Sequence, residues 1–247
     1  FKEPHHPFYF PIEYAGSYDP ADMPLPKGSP EDDRWIPERY QELSEDQRRG
    51  IIAAYYTCVE YMDSNIGRVL DALEEMDLER ETLVVYLSDN GYLLNEHKRF
   101  EKHTMWEEAV RQPTILRVGE GRAAPARSDA LVEYVDIVPT ILELIDAPYL
   151  GEVQGQSFEP VLRDPVAAHR SVVFSTYLQD NLAMLRTEQW KYVFHTGSRD
   201  LTIGYKTGKG PSGIVHRLYH LPSDPNEHRD VSDLPGNADI LKRMQER

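Results

Sequence analysis

The pattern that most limits the fold begins at Ser44. Ser44-Glu45-Asp46-Gln47 has the form of a capping box, in which a serine hydroxyl and a glutamine amide each satisfy the other residue's backbone donor. Ile51, Ile52, Tyr55, Val59, Met62, Ile66, Val69, Leu70, Leu73 and Met76 then recur at helical spacing. The spacing predicts one long amphipathic helix, or two consecutive ones, ending near Met76. After a short polar connection, residues 83–87 form a continuous apolar run with two adjacent valines. Its length suits a strand buried on both faces, as parallel strands of α/β sheets are. A helix followed by such a strand points to an α/β fold with a doubly wound sheet.

Further elements follow the same logic. Strands are expected at residues 114–118 and 130–135. A helix then runs from a cap at Asp136 to about Ile145, with Pro139 tolerated in its first turn. After Asp164-Pro165 the texture changes to short strand-like runs, SVVFSTYL, NLAMLRT, WKYVFHT and HRLYHL, closed by a polar helix. Strands in succession without intervening helices predict an antiparallel sheet. The chain therefore divides into an α/β core over residues 1–165 and a smaller antiparallel-sheet subdomain over residues 166–247. Residues 1–43, rich in proline and aromatics, are expected to wrap the larger body in extended form. The glycine-rich KTGKGPSG at 206–213 lacks the Gly-Lys-Ser/Thr order of a phosphate-binding loop and is read as a surface loop.

Composition narrows the function classes. A formal net charge of -15 over 247 residues disfavours nucleic acid and anionic membranes as partners, because both are bound through basic surface. No apolar run approaches the roughly 18–20 residues of a membrane span. Cys58 is the single cysteine, so no intrachain disulfide can form, and its place in the helical pattern makes it a packing residue.

Chemistry concentrates after the first predicted strand. Ser88-Asp89-Asn90-Gly91 is acceptable turn chemistry, yet in open α/β sheets ligands bind beyond the carboxyl ends of strands, where Asp89 and Asn90 would sit. A carboxylate beside an amide carbonyl offers two hard oxygens of the kind Ca²⁺ or Mg²⁺ prefers. Downstream lie His97, Lys98, Arg99, Lys102 and His103. Any of these can neutralise an oxyanion; Lys98 and Arg99 are read as solvated charges.

The ordered series PHHPF (4–8), YMDSNIGRVLDAL (61–73), SDNG (88–91), NEHKRFEKHTMWEEAVRQP (95–113), VEYVDIVPTILEL (132–144), GQSFEPVL (155–162) and WKYVFH followed by RLYHLPSDPNEHRDVSDL resembles the sulfatase family of the alkaline-phosphatase-like superfamily. The resemblance implies that Asp89 and Asn90 bind one Ca²⁺, that Lys102 contacts sulfate oxygens, and that His5 contacts the leaving group. His97 and His103 are candidates for substrate contact. The substrate implied is a small sulfate ester, expected to be of a carbohydrate, and the compartment periplasmic, secreted or lysosomal. The family's nucleophile is a formylglycine made from a Cys/Ser-x-Pro-x-Arg motif, and two further metal-binding aspartates come from an early strand. Neither feature occurs in these residues; Cys58 is followed by Val-Glu-Tyr-Met. The chain is thus expected to be the C-terminal portion of a sulfatase, inactive without its N-terminal half. Alternatives are a phosphodiesterase or phosphonate monoester hydrolase of the same superfamily, and a non-catalytic sulfatase-like binding protein.

Overall fold

The structure, a computed structural model, describes residues 1–119, 125–149, 151–177, 181–196 and 213–247. Most of the 206–213 loop lies outside the described residues.

The N-terminal segment contains three single 3₁₀ turns (Ile12–Tyr14, Pro20–Asp22, Pro30–Arg34) and one short helix, α1 (Glu38–Gln41). It wraps α2 (Glu45–Glu75) as expected, through ring contacts of Phe8 with Tyr55, Tyr18 with Tyr56 and Tyr14 with Tyr61. The α2 pattern resolves to one continuous helix of 31 residues. Both bonds of its capping box form, Gln47 N donating to Ser44 Oγ at 3.2 Å and Ser44 N to Gln47 Oε1 at 2.9 Å. Ile52, Ala53, Thr57 and Cys58 face the interior. Burial pushes the Cys58 thiol up to about 11, consistent with a packing role. The far end of the helix is barer, with Val69 and Met76 exposed.

Strand β1 (Val84–Leu87) is present, but it is not enclosed on both faces. Its partner is β4 (Thr114–Arg117), paired antiparallel with Val84 opposite Arg117 and Leu87 opposite Thr114. Leu87 and Ile115 are both exposed although the register puts them on opposite faces of the pair, so neither face is fully covered by described residues. Between these strands lie the two-residue strands β2 (Leu93–Leu94) and β3 (Phe100–Glu101), paired with each other, and the short helix α3 (Glu107–Val110).

Residues 130–135 do not form the expected strand. Leu131 makes one isolated bridge to Arg170, and the chain then turns through a 3₁₀ helix at Tyr134–Asp136 into α4 (Ile137–Leu144). Nor does Asp136 cap that helix. Its carboxylate, fully buried, accepts from Glu133 N at 2.9 Å, Gln156 N at 2.8 Å and Arg170 Nε at 2.7 Å, with a further contact to Arg170 Nη2 and with His169 Nε2 at 3.1 Å. Gly155 permits this convergence, since a Cβ there would lie 1.7 Å from the Val135 carbonyl oxygen.

After α5 (Glu159–Arg163), strands β5 (Val173–Tyr177), β6 (Leu182–Arg186), β7 (Trp190–His195) and β8 (Val215–His220) form an antiparallel sheet in sequential order. Both faces are covered. One packs Val173, Leu182, Met184, Val193 and Tyr219 around Met105; the other packs Leu185, Tyr192 and Leu218 against Met244 of α6 (Ala238–Gln245). No helix among the described residues is long and apolar enough to cross a membrane.

Candidate functional site

Strand β1 delivers Ser88, Asp89, Asn90 and Gly91 to its carboxyl end. Ser88 Oγ donates to Asn90 O at 2.6 Å, and Gly91 N donates to Ala109 O at 3.0 Å. A Cβ at Gly91 would lie 2.0 Å from the Glu108 carbonyl oxygen, so only glycine lets this turn press against α3. The Tyr134 hydroxyl donates to Ser88 O from the other side. Burial, reinforced by the charge of Asp89, pushes the Tyr134 phenol up to about 12.

The β2–β3 hairpin approaches the same region under evident strain. Asn95 (φ 86°), His97 (φ 50°), Lys98 (φ 57°) and Glu101 (φ 76°) all hold positive φ without being glycine, a conformation that persists only where surroundings impose it. Those surroundings are specific. Arg48 Nη1 donates to Asn95 Oδ1 at 2.7 Å and to Lys98 O at 3.1 Å; Asn95 Nδ2 donates to Pro26 O at 2.9 Å. Arg39 pairs with Glu101. His97 is enclosed, its Nδ1 2.8 Å from Asp32 Oδ1 and its ring stacked on Trp106 at 3.9 Å. Burial works to raise the Asp32 carboxyl, but the hydrogen bond and charge of His97 outweigh it and hold it below its ordinary value.

This scaffold ends at Lys102 and His103. Together with Asp89 and Asn90 they line one broad cleft, whose far wall includes Tyr134, Arg170 and Tyr177. Among the described residues, neither the Asp89 carboxylate nor the Lys102 ammonium has a hydrogen-bond or ion-pair partner. The Tyr177 hydroxyl is hydrogen-bonded to His103 Nδ1 at 2.5 Å, and His103 Nε2 lies 4.0 Å from Glu101 Oε2.

The remaining sequence candidates lie elsewhere. His5 is exposed, stacked on His6 with ring centroids 4.6 Å apart, and is outside the cleft lining. His97, named for substrate contact, is only 1 % exposed and also outside that lining; the geometry makes it a support of the hairpin. Lys98 pairs with Asp33 at 2.6 Å and remains partly solvated. Arg99 is not a solvated charge: it is buried, donates to Trp35 O at 2.9 Å and lies 5.7 Å over the Trp106 ring.

Sequence reasoning passed over two groups that hold the site. Asp32 ends Ser29-Pro30-Glu31-Asp32, a capping-box pattern that does form, so it was visible as a local turn but not as the partner of His97. The second group joins α3 to the C-terminal sheet. Lys191 Nζ, fully enclosed, lies 3.1 Å from Glu107 Oε1 and 2.9 Å from Glu227 Oε1, while Glu107 N donates to Glu227 Oε2 at 2.7 Å.

Two oxygen-bearing side chains without protein partners, open to a cleft, fit part of the shell of a hard cation such as Ca²⁺, which takes about 6–8 oxygens. They do not complete one. The imidazole-rich trio of Asp32, His97 and His228 is a different donor set and does not suit Ca²⁺.

Residues 1–147 match the Sulfatase family, and residues 95–247 match the family described as N-sulphoglucosamine sulphohydrolase, C-terminal. Among curated relatives, arylsulfatase K of Gallus gallus is 31 % identical over 202 residues, covering 77 % of this chain and 35 % of the relative. An N-acetylglucosamine-6-O-sulfatase of Bacteroides thetaiotaomicron is 35 % identical over 218 residues, covering 84 % and 35 %. A solved structure of a protein in complex with its substrate D-glucosamine-2-N,6-O-disulfate superposes with a TM-score of 0.71 at 25 % identity, covering 84 % of this chain and 42 % of that one. A phosphonate monoester hydrolase from Silicibacter pomeroyi shares the fold, with a TM-score of 0.78 at 23 % identity, covering 98 % and 53 %. The chain spans well under half the length of these two curated relatives. With the two family matches overlapping and together running from its first residue to its last, on an alkaline-phosphatase-like α/β fold, the chain belongs to the sulfatase family.

Proposed function

We propose that the full-length protein carrying this chain hydrolyses sulfate esters of a carbohydrate, with Asp89, Asn90, Lys102 and His103 forming one wall of its active site. The observation that carries this reading is the arrival of Asp89, Asn90 and Lys102, from two separate elements, at one cleft, with the charges of Asp89 and Lys102 unmet by the described residues.

The chemistry suits those groups. Sulfate ester hydrolysis builds negative charge on oxygens around sulfur and on the departing alkoxide. The Lys102 ammonium offsets the first, and the strained, multiply anchored hairpin keeps it in place without reorganisation during the reaction. A calcium ion, when bound, supplies further charge neutralisation, and Asp89 and Asn90 would hold part of it. His103 would hydrogen-bond substrate or pass a proton, a reading supported by its hydrogen bond to Tyr177. The leaving-group role of His5 requires that the N-terminal segment reach the cleft once the rest of the enzyme is in place. The nucleophile is assigned to a formylglycine on a preceding part of the polypeptide, so residues 1–247 alone should not turn over.

The substrate class rests on the relatives: one is an N-acetylglucosamine-6-O-sulfatase, and another structure holds a disulfated glucosamine. The test is a steady-state survey of the full-length, formylglycine-matured protein with Ca²⁺ against sulfated amino sugars, aryl sulfates, phosphodiesters and phosphonate monoesters. Highest kcat/KM on a sulfated sugar is expected. Preference for a phosphonate or phosphodiester would assign the other chemistry of the superfamily, and no turnover on any class would favour a binding role.

A further inference from the structure

Asp32, His97 and His228 come from three distant segments and meet away from the cleft. One oxygen of Asp32 and one nitrogen of each imidazole all lie within 4.8 Å of one another. Asp32 belongs to the N-terminal 3₁₀ turn, His97 to the strained hairpin and His228 to the loop after β8. The two rings lie 5.2 Å apart between centroids, and His228 Nδ1 is 3.8 Å from Asp32 Oδ2.

Hydrogen bonding alone does not account for the trio. Asp32 engages His97 Nδ1 and accepts from Ser29 N, which uses both carboxylate oxygens and one ring nitrogen. His97 Nε2 and His228 Nδ1 are left buried without any hydrogen-bond partner. Buried polar atoms are satisfied in the great majority of cases, and His228 Nδ1, orphaned on the side facing Asp32, is a ready metal ligand, as is His97 Nδ1 on the ring edge that Asp32 now engages. The stacking of Trp106 on His97 and the bond from Ser29 fix two of the donors, the kind of outer support that metal ligands carry.

We propose that Asp32, His97 and His228 bind one first-row transition-metal ion, Zn²⁺ being the species to test, as a structural clasp joining the N-terminal segment, the hairpin that presents Lys102 and the C-terminal segment. Two imidazoles and one carboxylate form a three-ligand set with room for a water as the fourth, and they favour a borderline-soft ion over calcium. Zinc bonds of roughly 2.0–2.2 Å require the donors to draw closer than they now stand. His228, partly exposed on its loop, is the residue free to make that movement. The proposal is independent of the sulfatase reading and of the Asp89–Asn90 site.

The experiment uses the full-length protein, free of any affinity tag, equilibrated with Zn²⁺ in calcium-containing buffer and washed. Metal per chain is measured by mass spectrometry, and a Co²⁺-loaded sample is read by visible absorption. One zinc per chain and an intense tetrahedral cobalt band are expected, both unchanged in Asp89→Asn. His228→Ala should weaken zinc binding by roughly 100-fold, and His228→Cys, which restores a donor, should retain it. Absence of stoichiometric zinc, equal zinc in His228→Ala, or loss of zinc in Asp89→Asn would each overturn the proposal. If His228→Ala fails to fold, the cobalt spectrum of the unmodified protein decides: a weak octahedral band, or none, contradicts the site.

Discussion

Lys191 and Glu227 form an ion pair at 2.9 Å with both side chains sealed from solvent, and because Glu227 accepts from Glu107 N while Lys191 pairs with the Glu107 carboxylate, the pair ties α3 to the C-terminal sheet. The turn carrying Asp89 and Asn90 rests on that same helix through Gly91, so Lys191 and Glu227 support the cleft without themselves lining it. Removing one member of a buried pair leaves the other charge without compensation. Lys191→Ala is therefore expected to cost about 3–5 kcal/mol of stability, read from denaturant unfolding of the full-length protein; a loss below about 1 kcal/mol would show the pair to be solvated.

Asp136 supplies a pH signature. Burial acts to raise its carboxyl, but the bonds from Arg170, Gln156 and Glu133, with His169, more than reverse this and hold it well below its ordinary value of 3.8. Because the folded-state value is depressed, the stabilisation is complete above the unfolded value and disappears as pH falls below it toward the folded one. Stability should decline below about pH 4, and Asp136→Asn should flatten that decline while lowering stability at neutral pH. An unchanged acid limb in the variant would remove Asp136 from the account.

Gly91→Ala tests the close approach of the turn carrying Asp89 and Asn90, the proposed calcium ligands, to α3. The added carbon would meet the Glu108 carbonyl oxygen at 2.0 Å, and that oxygen is backbone. Overpacking of this kind costs about 1–3 kcal/mol, and because the turn must shift, calcium affinity should fall with stability. Full retention of both would mean that the turn has space the structure does not show.

Tyr134→Phe removes the hydroxyl that donates to Ser88 O, one residue before Asp89, and leaves the ring in place. Calcium affinity of the full-length enzyme is expected to drop roughly tenfold, as for other partners that orient a metal ligand, with about 1 kcal/mol or less of lost stability. Calorimetric titration with Ca²⁺ measures the first quantity and thermal unfolding the second. A large loss of stability with unchanged affinity would make Tyr134 a packing residue.

Local signals were legible and distant partners were not. The Ser44 capping box and the α2 stripe follow from neighbouring residues, so the helix start was readable to the residue. The apolar run after it correctly marked a strand, but which strand pairs with it and which faces are covered depend on residues far along the chain. Asp136 stands before an apolar helical run and looks like a cap; its true partners are at positions 156, 169 and 170. His97 and Arg99 sat among charges that suggested solvent or substrate, whereas Asp32 and Trp35, far upstream, draw them inside. Asp89, Asn90, Lys102 and His103 do share one cleft. His5, exposed on the N-terminal segment, lies outside that cleft lining.

The central claim is that the cleft is a sulfate site in which Lys102 neutralises developing charge, and turnover of Lys102→Ala in the full-length, formylglycine-matured enzyme tests it most directly. Lys102 makes no side-chain bond to the described residues, so folding and calcium affinity should be nearly unchanged. Loss of an electrostatic contact made chiefly in the transition state should lower kcat by roughly 10²–10³-fold. A kcat within about twofold of the unmodified enzyme, far from the effect of losing such a contact, would contradict the account.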